Sequence, residues 1–138
     1  MILLDTNVLI YASDETSSFF SWARTIIAEG VSGSGVAINA ITLAELCVGD
    51  VEPTTVADRI RSWGVVILDI PAVASVSCAA AYSTYRKRKM AQSGNESPVI
   101  PLPDFFIGAH ASIMGWSIAT ADEGRFKTYF PSVTLIMP

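Results

Sequence analysis

The chain has 138 residues, of which 51% are hydrophobic and 16% charged, with a mean hydropathy of +0.44. That size suits one domain burying roughly two-thirds of its unfolded surface. No stretch long enough to cross a bilayer is free of polar groups, and no basic segment leads into a signal-like core, so the sequence reads as a cytoplasmic protein without a membrane span. The net charge of −4 and a pI of about 4.8 argue at first against a nucleic-acid partner.

In chain order, Met1 to Leu4 form an unbroken apolar run that stops at Asp5, Thr6 and Asn7. A half-exposed strand would alternate polar and apolar residues, so this run predicts a short strand buried on both faces. Asp5 then stands at its carboxyl end, as a helix N-cap, a ligand or a catalytic group. Asp14, Glu15, Ser17 and Ser18 start a helix that carries Phe19, Phe20, Trp22, Ala23, Ile26 and Ile27 to Gly30. The turn at Ser32 to Gly35 leads to a second strand, Val36 to Asn39.

The next helix, Ala40 to Val48, is apolar nearly all round and is expected to be deeply packed. Glu45 is its only charge, and an ionised Glu in such a setting is costly without a partner. Pro53 opens a helix ending near Trp63 and Gly64, and residues 65–70 form a third strand. A long helix is expected from Pro71 to Gln92, ending in Arg86, Lys87, Arg88 and Lys89. That basic run suits phosphate contact, a partner's acidic segment, or a solvated helix end. Residues 93–103, with Gly94, Pro98, Pro101 and Pro103, read as an irregular connection. Cys47 and Cys78 lie in apolar helical patterns and read as reduced core residues, not as a disulfide or a zinc pair.

Asp104 begins another apolar helix, where the N-terminal dipole favours an anion. Gly108 lies on the face of Asp104 and leaves room for something bulky. His110 is turned about 120° away from that face, which assigns it to packing or subunit contact. Ser117 to Ala121 form a fourth strand closed by Asp122, as Asp5 closes the first. Glu123, Gly124 and Arg125 read as a turn, with Phe126 and Phe130 preceding a last strand over Val133 to Met137.

This alternation predicts an α/β fold, a three-layer α/β/α arrangement with a mostly parallel five-stranded sheet. Placing the first and fourth strands side by side makes a crevice at their carboxyl ends. Asp5 and Asp122 would lie on its floor, with Glu45 and Asp104 reaching in from helices. Two carboxylates at about 4 Å repel by roughly 4 kcal/mol at an effective dielectric of about 20. Some must therefore take up protons, or a divalent cation must hold them. Oxygen ligands without Cys or His suit Mg²⁺ or Mn²⁺, ions that can activate water toward a phosphodiester. Thr6, Asn7 and Thr120 are polar neighbours suited either to supporting such a site or to turn and cap chemistry. Setting these four acids aside leaves nine Asp and Glu against nine Lys and Arg, so the negative charge would be one local pocket.

LLDTNVLI at 3–10, NAITLAELCVG at 39–49, PDFFIGAHA at 103–111 and TADEGRF at 120–126 together resemble a PIN domain. More narrowly they resemble the toxin ribonucleases of VapBC-type toxin–antitoxin pairs, over nearly the whole chain. The resemblance implies a dimeric, Mg²⁺- or Mn²⁺-dependent endoribonuclease acting on RNA, held inactive by a cognate antitoxin whose C-terminal segment lies across the cleft. It also implies that Asp5, Glu45, Asp104 and Asp122 bind metal and carry catalysis. Ala121 stands where the family often has Asn or Arg, and His110 where Thr is common. Glu123 is an accessory acid or a solvent-facing turn residue. Two other classes compete. A receiver-like signalling module would want paired acids after the first strand, where only Asp5 stands. A catalytically silent PIN-like binding module would have lost one of the four acids.

Overall fold

A computed structural model describes residues 1–93 and 102–138. The elements are β1 (Ile2–Leu4), α1 (Thr6–Ser13), α2 (Phe20–Ser32), β2 (Val36–Asn39), α3 (Ala40–Val48), a short 3-10 turn at Pro53–Thr55, α4 (Val56–Ser62), β3 (Val66–Leu68), α5 (Ala74–Ser93), α6 (Pro103–Met114), β4 (Ser117–Ala119), α7 (Glu123–Tyr129) and β5 (Leu135–Ile136). The five strands form one sheet in the order β3-β2-β1-β4-β5, and every pairing is parallel. β1 is the central strand, flanked by β2 and β4, with Leu3 opposite Ile118 and Leu4 opposite Ala119. The expected neighbourhood of the first and fourth strands is therefore present.

Consecutive strand residues feed opposite faces of the sheet, as a period of two requires. Leu3, Ala37 and Ile118 pack on one side with Cys78, Tyr85, Phe105, Ile107, Phe126 and Phe130 from α5, α6 and the α7 region. Leu4, Ile38 and Ala119 pack on the other with Val8, Leu9, Ala23, Ile27, Val56 and Ile60 from α1, α2 and α4. Helices thus cover both faces, which is why the strands read as unbroken apolar runs. Gly108 on α6 is where the Phe130 ring lies against the helix: a Cβ there would come within 2.3 Å of two ring carbons. The bulky neighbour that Gly108 makes room for is that aromatic ring.

Several expectations need correcting. The segment read as a turn at Glu123 to Arg125 is the first turn of α7, with Asp122 capping it through the Gly124 N–H at 3.1 Å. The last strand is only Leu135–Ile136, and the third is Val66–Leu68, shorter than expected because only those residues are paired across the sheet. α5 begins at Ala74 and not at Pro71, and α6 begins at Pro103, a residue suited to a first helical turn. The helix expected from Pro53 opens as a 3-10 turn before α4. The largest correction concerns α3. It is not deeply packed: only Thr42 is buried, and Val48 is 89% exposed. The irregular connection expected at 93–103 falls for the most part outside the described residues. Cys47 and Cys78 are both free, and Cys78 is buried, where loss of solvation pushes its thiol pKa up. Among the described residues no helix is long and apolar enough to cross a membrane.

Candidate functional site

β1 ends in Asp5, and the chain turns at once into α1. The backbone N–H of Thr6 donates to Asp5 Oδ1 at 2.8 Å, so this carboxylate does cap the helix. Its second oxygen faces the other way, into a side-chain network. Thr120 Oγ1, just past the end of β4, donates to Asp5 Oδ2 at 2.7 Å, and Asn7 Nδ2 donates to the same oxygen at 2.5 Å. Asn7 Oδ1 in turn accepts from the Ala121 N–H at 3.2 Å, and Thr120 Oγ1 accepts from the Asp122 N–H at 2.9 Å. Asp5 is thus both cap and pocket residue. Asn7 and Thr120, which could have been mere turn residues, bind the carboxyl ends of two adjacent strands to one another.

A cavity of about 460 Å³ opens above these strand ends. It is lined by Asp5, Thr6, Asn7, Ile10, Glu45, Val48, Asp104, Asp122 and Phe126. The four acids singled out by sequence, from four separate stretches, therefore share one hollow. Glu45, on α3, accepts a hydrogen bond from Thr6 Oγ1. Asp104, in the first turn of α6, forms an ion pair with Arg125 of α7. Asp122 is exposed, so it stands on the rim and not, as expected, on the floor beside Asp5. Asp5 itself is only 5% exposed, and burial pushes its pKa up. Hydrogen bonds from Thr120 and Thr6 oppose that rise, while the charges of Glu45 and Asp122 add to it. Those two acids are near enough for Asp5 to feel them.

The donors are carboxylate and hydroxyl oxygens with no sulfur or imidazole among them, a set that suits a hard divalent cation. Their present orientation is another matter. Among the described residues no three His, Cys, Asp or Glu side chains are drawn together as a ready cage. Each acid is instead turned onto a protein partner: Thr120 and Asn7, Thr6, Arg125, or the start of α7. Donor chemistry fits an ion; the side chains would have to release those partners to hold it.

The remaining predicted residues lie elsewhere. Arg86, Lys87, Arg88 and Lys89 are exposed within α5, before its last turn, and the Arg88 guanidinium lies 5.8 Å from the centre of the Tyr129 ring. Glu123 is exposed and paired with Lys127 at 2.5 Å, not aimed into the hollow. His110 is buried in α6 against Trp116, with ring centres 5.5 Å apart, which makes it a packing residue. Sequence reading missed Arg125. Its partner Asp104 lies 21 positions back in the chain, beyond the reach of any local spacing.

An acidic cleft at the switch point of a wholly parallel, helix-covered sheet defines the class: an α/β protein with its acidic hollow at the strand carboxyl ends. The chain belongs to the PIN domain family, whose profile matches residues 2–130. Its structural likeness is to toxin–antitoxin proteins. It resembles a chain of VapBC2 from Rickettsia felis bound to a promoter DNA fragment, with 23% identity over 100% of this chain and 99% of that one, at a TM-score of 0.65. It resembles a chain of FitAcB from Neisseria gonorrhoeae, with 25% identity over 99% and 96%, at a TM-score of 0.64. It also resembles VapC20 from Mycobacterium tuberculosis, a sarcin–ricin loop cleaving toxin, with 16% identity over 100% of both chains and a TM-score of 0.65. No curated protein matches the sequence.

Proposed function

We propose that this chain is a Mg²⁺- or Mn²⁺-dependent endoribonuclease, the toxin of a toxin–antitoxin pair, and that Asp5, Glu45, Asp104 and Asp122 are its metal-binding and catalytic acids. The observation that carries this reading is the convergence of those four acids on one cavity at the end of the central strands. A bound divalent cation would supply Lewis acidity toward a phosphodiester and would activate water.

The chain's own residues prepare that chemistry. Asn7 and Thr120 fix the Asp5 carboxylate, so it cannot rotate away from the cleft. Burial and the charges of Glu45 and Asp122 push the Asp5 pKa up, so the hollow is one in which a cation would be favoured. Thr6 holds Glu45 toward the hollow from α3. Asp122 waits at the rim, where RNA enters. Arg86 to Lys89 are offered as a weaker RNA or partner contact, supported only by their charge and exposure.

The partner reading rests on a second observation. A groove of about 710 Å³ runs beside the acid cavity between α1, α2, α3 and α4, lined by Leu9, Ile10, Phe20, Leu46, Ile60 and Trp63 among others. It shares Ile10 and Glu45 with the cavity. Leu46 of α3 lines this groove and Val48 the cavity beside it, which supports an antitoxin segment lying there and shading the acids. That the chain pairs as a homodimer and works in the cytoplasm also belongs to this proposal, on family likeness. That each acid is engaged by a protein partner, with no ready cage among the described residues, favours one competitor, a silent PIN-like binding module.

The test is cleavage of a synthetic structured RNA with and without Mn²⁺. Cleavage should need the ion and vanish in Asp5→Asn and Asp104→Asn, with circular dichroism unchanged. Cleavage that survives EDTA, or survives both substitutions, rejects the proposal, and wild-type protein that neither binds Mn²⁺ nor cuts RNA favours the silent module.

A further inference from the structure

We propose that Arg125 is a positioning residue that stands in for the divalent cation: its guanidinium holds Asp104 until an ion displaces it. The inference rests on the metal-dependent reading above and adds a regulatory step to the same site.

Arg125 and Asp104 meet across the packed ends of α7 and α6, with side chains 32% and 23% exposed. The pair is sheltered enough to persist and open enough to be exchanged without disturbing the core. Among the described residues, Asp104 is the only one of the four acids lining the cavity with an ion-pair partner; Asp5 and Glu45 are held by neutral hydroxyls and amides. The other cation of α7, Lys127, is taken up by Glu123 at 2.5 Å. Arg125 therefore supplies the positive charge that an ion-free acidic hollow lacks.

The residue type matters. A guanidinium stays charged at every working pH, so its own titration cannot release the pair. Only a competing cation, or loss of the acid, can do so. An ion claiming Asp104 breaks the Arg125 pair as it forms its own bond, with no other change of charge on the protein. Two consequences follow from this linkage. The ion-free protein is steadied by the pair, and ion affinity is lowered by the strength of the pair.

The experiment is Mn²⁺ binding, followed by electron paramagnetic resonance and by calorimetry, alongside thermal unfolding of the EDTA-treated protein. Arg125→Gln should bind Mn²⁺ about two- to fivefold more tightly, the range that one partly exposed ion pair is worth. Its ion-free form should melt at a lower temperature than wild type. Arg125→Lys keeps the charge but loses the planar fork, and should fall between the two. Lys127→Gln removes the same charge from the same helix and leaves Asp104 its partner, so it should not tighten binding. Unchanged or weaker binding by Arg125→Gln, or equal tightening by Lys127→Gln, overturns the exchange while leaving the nuclease reading intact. Failure of wild type to bind Mn²⁺ overturns the metal reading and the exchange together.

Discussion

Gly108→Ala tests whether the helix and ring that support the acid cleft are packed as described. The added Cβ would lie 2.3 Å from Cδ2 and Cε2 of Phe130 and 2.9 Å from Cγ. Ordinary carbon–carbon contact is about 3.5–4.0 Å, so the ring must retreat by roughly 1.2 Å or more. Phe130 is 5% exposed and has Phe105 6.3 Å away between ring centres, which leaves little room for retreat. Overpacking of this kind costs about 1–3 kcal/mol, and a severe clash against a buried ring belongs at the upper end. Ala is the better helix former by about 1 kcal/mol. The net loss should be about 1–2 kcal/mol, or roughly 3–8 °C in Tm for a domain of this size. Asp104 stands one turn earlier on the same helix, so a shifted α6 should also lower RNA cleavage. Differential scanning calorimetry on the wild type, Gly108→Ala, Phe130→Leu and the double variant gives the answer. The two losses should be less than additive, because the smaller side chain accepts the new methyl group. A Tm equal to or above wild type in Gly108→Ala would refute the packing argument.

Thr120→Val removes the hydroxyl that donates to Asp5 and accepts from the Asp122 N–H; it should destabilise by about 1–3 kcal/mol and depress cleavage, read by urea unfolding and RNA assay. Burial lowers the His110 pKa below its ordinary 6.5, so the unfolded chain takes up the proton more readily and stability is present above pH 6.5 and lost as pH falls below it. Tm should drop between pH 7 and pH 5.5, and His110→Gln should flatten part of that slope; an unchanged slope would remove His110 from the account. Asp5 is shifted the other way, its pKa raised above 3.8, so its contribution is greatest below that value and is lost as the group ionises with rising pH. Under the metal-binding proposal Mg²⁺ should raise the Tm of wild type and raise that of Asp5→Asn less, measured by scanning fluorimetry with and without the ion.

The sheet and its acids were legible because burial on both faces writes strands as plain apolar runs, and the first four runs end in a conspicuous polar residue. Asp5, Glu45, Asp104 and Asp122 could be picked out as charges in apolar surroundings, and all four line the cavity. What misled was reading composition as depth. α3 is apolar, yet Val48 is exposed at the acid cavity, and Leu43, Leu46 and Cys47 are only partly buried against the core. α7 was obscured by Gly124, a weak helix former held in place by the Asp122 cap. The Asp104–Arg125 pair joins two helices across β4 and leaves no local pattern at all. Sequence periodicity reports which face a residue occupies, and says nothing of which distant side chain waits there.

The pairing of Leu3 with Ile118, and the Asp5–Thr120 bond 115 positions apart, fix when this pocket can exist. During synthesis the first acid leaves the ribosome long before the last strand it needs has been made. Closing so wide a loop costs chain entropy, and non-local contacts of this kind slow folding. Any cutting power is thus withheld from unfinished chains by topology alone, a safeguard that requires no partner.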